Sequence, residues 1–158
     1  MDYYFDSSAL VKLYVPETGS QWVKQLVTER LPLGELRHTI LMSRITIVET
    51  AAAIARRRRT GELTIEQQAL LYRRLLEDAQ HRFQLLEVDG RSLDLAADLT
   101  QQHPLRGYDA VHLAAALRLR RVLVTADLPA PVFICADANL CAVAQAEGLA
   151  VDNPNDHP

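Results

Sequence analysis

The chain has 158 residues, enough for one hydrophobic core and short for two. Its 49% hydrophobic and 23% charged residues exclude a disordered tract, and no apolar run or basic-flanked signal core points to a membrane, so a cytoplasmic protein is the expectation. A net charge of −3 excludes a generic nucleic-acid coat but not a nuclease, in which metal-binding acids offset locally concentrated cations such as Arg56 to Arg59.

The opening Asp2-Tyr3-Tyr4-Phe5-Asp6 is short, aromatic and strand-like, and Ser7-Ser8 lead into an apolar stretch that Pro16 stops. Thr18 and Gln21 have the spacing of a capping box, which predicts a helix from there to about Arg30. Residues 31 to 38, with Pro32 and Gly34, read as a connection, and an alanine-dense helix is expected from Ser43 to Arg58. Thr64 and Gln67 repeat the capping-box spacing after Gly61. The helix they start places Ile65, Ala69, Tyr72, Leu76 and Ala79 on one stripe and sends Arg73, Arg74, Glu77 and Asp78 toward solvent.

Phe83 to Val88 reads as a strand, with Asp89 capping a helix that runs to about Gln101. Pro104 and Gly107 precede a helix from Asp109 to about Arg120. Val132 to Ala136 is a continuous apolar run typical of a buried parallel strand. A helix from Asn139 to Glu147 stops at Gly148, and Leu149 to Val151 forms a last short strand. One domain over residues 1–153 and a frayed polar tail over 154–158 are expected. Strands alternating with helices give an α/β fold, a central mostly parallel sheet flanked by helices in three layers. Cys135 and Cys141 form no CxxC pair and read as buried free thiols.

In such sheets ligands bind beyond the carboxyl ends of the strands. Asp6 and Asp137 each follow a strand, while Glu49 and Asp109 stand near helix starts that can face the same edge. Small residues beside them, Ala52 and Ala53 near Glu49 and Ala116 near Asp109, allow close approach to the sheet. Converging carboxylates repel unless a hard cation joins them, and Mg²⁺ suits oxygen ligands and leaves positions open for phosphate. Each acid taken singly has a plainer explanation. Asp89, Asp109 and Asp137 are all good helix caps, Glu49 is an ordinary helix residue, and Asp127 stands in a context like that of Asp137. Pro129 and Pro131 after Asp127 disfavour a helix there, which favours Asp137 over Asp127, while Asp89 ends a strand as neatly as Asp137 and stays a competing choice.

At these positions the chain resembles the PIN-domain nucleases, specifically VapC-type toxins. The matching segments are Tyr4 to Lys12, Ile47-Val48-Glu49, Asp109 to Ala116, and Phe133 to Asp137 followed by Leu140, Ala144 and Glu147 to Leu149. The resemblance implies a PIN-like fold and a Mg²⁺- or Mn²⁺-dependent endoribonuclease with Asp6, Glu49, Asp109 and Asp137 as its acidic quartet. It makes Asp6 and Asp109 the direct metal ligands, with Glu49 and Asp137 completing the shell and Ser7 or Ser8 adding a hydroxyl. It also implies a cognate VapB-type antitoxin and a homodimer. Cys135 departs from the Thr or Ser that many members carry, which weakens the support of Asp137. Arg56, Ser7 and His112 are the candidate RNA contacts. The alternatives are a PIN nuclease that processes RNA without an antitoxin, a silent PIN binding module, and a Mg²⁺-dependent phosphatase or phosphoreceiver. The phosphatase pattern fails at position 8, where Ser stands in place of a second Asp.

Overall fold

The computed structural model describes residues 1–157. Five strands, β1 (Asp2–Phe5), β2 (Thr39–Ser43), β3 (Gln84–Leu86), β4 (Val132–Ile134) and β5 (Ala150–Asp152), form one sheet in the order β3-β2-β1-β4-β5. All four pairings are parallel, with Tyr4 opposite Leu41 on one side and Phe133 on the other. The chain leaves β1 for β2 in one direction and later returns to place β4 on its other flank. That reversal is the topological switch point at which such sheets open a crevice.

Helices cover both faces. On one side lie α1 (Ser7–Tyr14), α2 (Ser20–Thr28), α3 (Arg44–Arg59) and α4 (Ile65–His81). On the other lie α5 (Gly90–Gln102), α6 (Gly107–Thr125) and α7 (Ala138–Ala146). Strand alternation divides the core. Phe5, Ile134, Ile40 and Met42 pack on the first layer, and Tyr4 and Phe133 on the second, their rings stacked 5.6 Å apart. Among the described residues no helix is long and apolar enough to cross a membrane.

The expected three-layer parallel sheet is present, with local corrections. Strand β2 fills residues 39–42, which carry no expected element between the connection and the next helix, and takes Ser43, the expected first residue of that helix. The box at Thr64 forms, its hydroxyl accepting from Gln67 N–H while the Gln67 side chain accepts from Thr64 N–H. The box at Thr18 does not: Gly19 caps α2 in a left-handed conformation, and Ser20 Oγ accepts from Glu17 N–H instead. The α4 stripe is reversed. Leu75 and Asp78 are buried, and Ile65, Tyr72 and Leu76 are exposed. Asp78 accepts from Tyr14 Oη at 2.9 Å and pairs with Arg82 at 2.9 Å, which draws that edge of α4 inward.

Helix α6 runs on to Thr125, so Asp127 follows a helix rather than a strand, at a φ of +54°. The tail is not frayed through residue 157. Residues Pro154–Asp156 form a short 3₁₀ turn with Pro154 buried, and the His157 ring stacks on Trp22 at 4.3 Å. Pro158, the last residue of the expected tail, lies outside the described residues.

Candidate active site

Asp6 is the first residue beyond β1, at the switch point. Its amide donates to Ile134 O at 3.1 Å, which ties the strand end to β4. Its carboxylate caps α1, accepting from Ala9 N–H at 2.8 Å and from Ser8 Oγ at 2.8 Å. Ser8 Oγ in turn accepts from Ala136 N–H at 2.8 Å, so one hydroxyl links the ends of β1 and β4. Asp6 is buried, and desolvation raises its pKa above the ordinary carboxylate range; the nearby His112 ring and the Ala9 and Ser8 hydrogen bonds pull it back.

Glu49 projects from the first half of α3 and meets His112 of α6, whose Nε2 lies 2.5 Å from Glu49 Oε2. The other ring nitrogen faces Ser43 Oγ at 3.4 Å, at the junction of β2 and α3. His112 is 1% exposed. That leaves no ring surface to offer RNA, a correction to its expected role. The expected reason for small residues near Glu49 also needs revising. Helix α3 packs inward through Thr46, Thr50 and Ile54, while Ala52 and Ala53 line open clefts. On α6 the expectation holds: Ala110, Leu113, Ala114 and Ala116 are buried among the core residues of that layer.

Asp109 sits in the first turn of α6, half-buried. Desolvation raises its pKa, the charge of Asp137 raises it further, and His112 and Arg106 oppose them. Asp137 is exposed and caps α7, with Oδ1 accepting from Leu140 N–H at 2.9 Å. Cys135 supplies support where an oxygen was expected: its Sγ accepts from Asp137 N–H at 3.3 Å and lies 3.9 Å from Ser8 Oγ. Both cysteines are free and buried.

Beside these acids runs a cleft of about 360 Å³, lined by Ser7, Ser8, Lys12, Glu49, Arg56 and Asn155 among others. A second cleft of about 350 Å³ shares Ser7, Glu49 and Arg56 and continues to Arg59. Lys12 and Asn155 were not singled out from the sequence. Lys12 is 4% exposed, and its ammonium donates to Thr18 O at 2.8 Å and Asn155 Oδ1 at 2.9 Å and pairs with Glu17 at 3.3 Å. A lysine between two valine- and leucine-rich stretches gives a sequence-level hint, because it breaks an otherwise apolar helix.

Asp89, the competing strand-end acid, is excluded by its surroundings. It caps α5 and pairs with Arg118 in a separate hollow with Leu119 and Val122, and the Arg118 hydrogen bond holds its pKa well below the usual range.

Asp6 and Asp137 therefore stand at the ends of the neighbouring strands β1 and β4, the Asp137 charge acts on Asp109, and Glu49 meets His112 one turn beyond Asp109. Among the described residues, however, no three His, Cys, Asp or Glu side chains stand close enough to form a finished cation cage. Mg²⁺ ordinarily takes one or two carboxylates directly and keeps several waters. An all-oxygen set, with the Asp109 pKa raised first by desolvation and then by the Asp137 charge, fits such a hard ion.

A family model described as PIN domain matches residues 3–128, a span that holds Asp6, Glu49 and Asp109 and ends before Asp137. Ribonuclease VapC45 of Mycobacterium tuberculosis is 37% identical over 114 residues, covering 72% of this chain and 74% of its own. The fold is similar to FitAcB from Neisseria gonorrhoeae, with a TM-score of 0.61 and 18% identity over 98% of each chain. It is also similar to a toxin–antitoxin complex from Klebsiella pneumoniae, with a TM-score of 0.58 and 18% identity over 96% of this chain and 97% of that one.

Proposed function

The chain belongs to the PIN domain family, and from that premise we propose that it is the endoribonuclease toxin of a toxin–antitoxin pair, hydrolysing RNA phosphodiester bonds with Mg²⁺ or Mn²⁺ at Asp6, Glu49, Asp109 and Asp137. The observation that carries the site is positional. Asp6 and Asp137 follow the neighbouring strands β1 and β4, the Asp137 charge acts on Asp109, and Glu49 lines a cleft that continues to Arg56 and Arg59.

The bound cation would polarise the phosphoryl oxygen and lower the pKa of an attacking water. Asp6 and Asp109 would hold it, and their desolvated carboxylates gain most from a neighbouring positive charge. Asp137 keeps Oδ2 clear of its cap and Glu49 keeps Oε1 clear of His112, so each has an oxygen to orient water. Arg56 and Ser7 line the same cleft and would steady the RNA phosphates on either side of the cut bond.

The proposed partners are RNA, a cognate antitoxin covering the cleft, and a second copy of the chain. The test is cleavage of single-stranded RNA with Mg²⁺ or Mn²⁺ and with a chelator. Asp109→Asn should abolish metal-dependent cleavage while the chain stays folded. A wild-type chain that cuts nothing under any divalent ion is a silent binding module, and the reading falls.

A further inference from the structure

We infer that His112 is a positioning residue, which fixes the Glu49 carboxylate at the cleft and leaves the RNA untouched. The inference rests on the reading of Glu49 as one of the catalytic acids.

Glu49 is a long side chain on a helix face that borders the cleft, and it remains 24% exposed. Left alone, it would sample several rotamers and present its oxygens in many directions. His112 removes that freedom. Its ring is enclosed, with Nε2 2.5 Å from Glu49 Oε2 and Nδ1 3.4 Å from Ser43 Oγ. Beside an ionised carboxylate Nε2 carries the proton and donates, so Nδ1 is the acceptor and the Ser43 hydroxyl is its donor. Ser43 Oγ also lies 3.3 Å from Thr46 Oγ1, which anchors the chain of contacts in the first turn of α3. The ring is thus held at both nitrogens by parts of the β2–α3 unit, while its own backbone belongs to α6 one turn beyond Asp109.

The residue type matters. An arginine in this place would take both carboxylate oxygens in a bidentate pair and bring a fixed positive charge to the spot meant for a cation. Imidazole offers one directed N–H and leaves Oε1 unspent. The same side chain stands one turn beyond Asp109 on α6, so it ties Glu49 to the helix that carries a second acid. Groups that orient metal-binding carboxylates in this way typically change metal affinity or turnover by about 10- to 100-fold when removed.

The experiment uses the full chain with His112→Ala, His112→Gln, Glu49→Gln and the Glu49→Gln/His112→Ala pair. Mn²⁺ affinity is measured by electron paramagnetic resonance on RNA-free protein. Binding of a short single-stranded RNA is measured in chelator, and cleavage is measured with kcat and KM separated. His112→Ala should weaken Mn²⁺ binding or lower kcat by about 10- to 100-fold with RNA affinity and KM unchanged. The glutamine, whose amide also donates a hydrogen bond, should restore much of the loss, and the double variant should be no worse than Glu49→Gln alone. His112→Ala that raises KM and loosens RNA with Mn²⁺ affinity intact overturns the proposal, because the ring then serves the substrate. So do losses that multiply in the double variant. Should His112→Ala fail to fold, His112→Gln and Glu49→Gln carry the comparison: a glutamine variant as impaired as Glu49→Gln overturns the proposal. Glu49→Gln with full activity and Mn²⁺ affinity removes the site assignment itself, a result distinct from any failure confined to His112.

Discussion

The Lys12 ammonium and the Asn155 side-chain carbonyl, 143 positions apart in sequence, meet at 2.9 Å on the wall of the acidic cleft. Asn155 Nδ2 also donates to Ala136 O at 3.2 Å, next to the amide that Ser8 holds. Asn155→Ala should therefore cost about 1–3 kcal/mol by leaving a nearly buried ammonium short of an acceptor. Urea unfolding at neutral pH measures it, and a change within a few tenths of a kcal/mol would mean that Glu17 and Thr18 suffice.

Gly19 should resist substitution for two reasons. Its φ is +79°, and a Cβ there would fall inside the carbonyl of Pro154. Gly19→Ala should displace residues 154–157 and lose the Trp22–His157 stack, read as a change in Trp22 fluorescence, while Gly61→Ala meets nothing nearby and disturbs only its own turn.

Asp78→Ala should destabilise by about 3 kcal/mol, since it leaves the Tyr14 hydroxyl and the Arg82 guanidinium facing an empty, mostly buried position. Chemical denaturation of the variant beside Glu77→Ala, on the solvent side of α4, separates this from helix propensity.

Burial raises the pKa values of Asp6 and Asp109, so between the ordinary carboxyl value and the raised ones the folded chain binds more protons than the unfolded one. Stability of the metal-free protein is then lost as pH rises through that window. Asp6→Asn keeps a good helix cap without the charge, and its gain in thermal midpoint over the wild type should widen from about pH 4 to about pH 7. Saturating Mg²⁺ should close the gap, because the cation favours the ionised wild type. A gap constant in pH, with or without Mg²⁺, would contradict this.

Local rules made Asp6, Asp109 and Asp137 legible only as strand-end or helix-start acids, and the family resemblance chose them, with Glu49, over Asp89 and Asp127. The neighbouring positions of Asp6 and Asp137 follow from the parallel pairing of β1 with β4. What was hidden depended on contacts across the fold. Helix α4 carries two apolar stripes, and periodicity alone picked the one with Ile65 and Tyr72; the inner one is chosen by the Asp78 bond to Tyr14. Thr18 and Thr64 have the same box spacing, yet Gly19 starts α2 after Thr18 through the close approach of Pro154. Strand β2 was missed because Ile40-Leu41-Met42 is buried on both faces and runs without a break into α3. His112 looked available for RNA because one-dimensional spacing shows a helix face but not the layer above it.

Strand β1 occupies the middle of the sheet, and its right-hand neighbour is β4. Because Asp6 N–H is tied to Ile134 O and Ser8 to Ala136 N–H, 128 positions away, these residues are held in place only once β4 has paired with β1. The N-terminal turn around Asp6 and Ser8 thus depends on a contact of high sequence separation, which places its completion late in the assembly of the sheet.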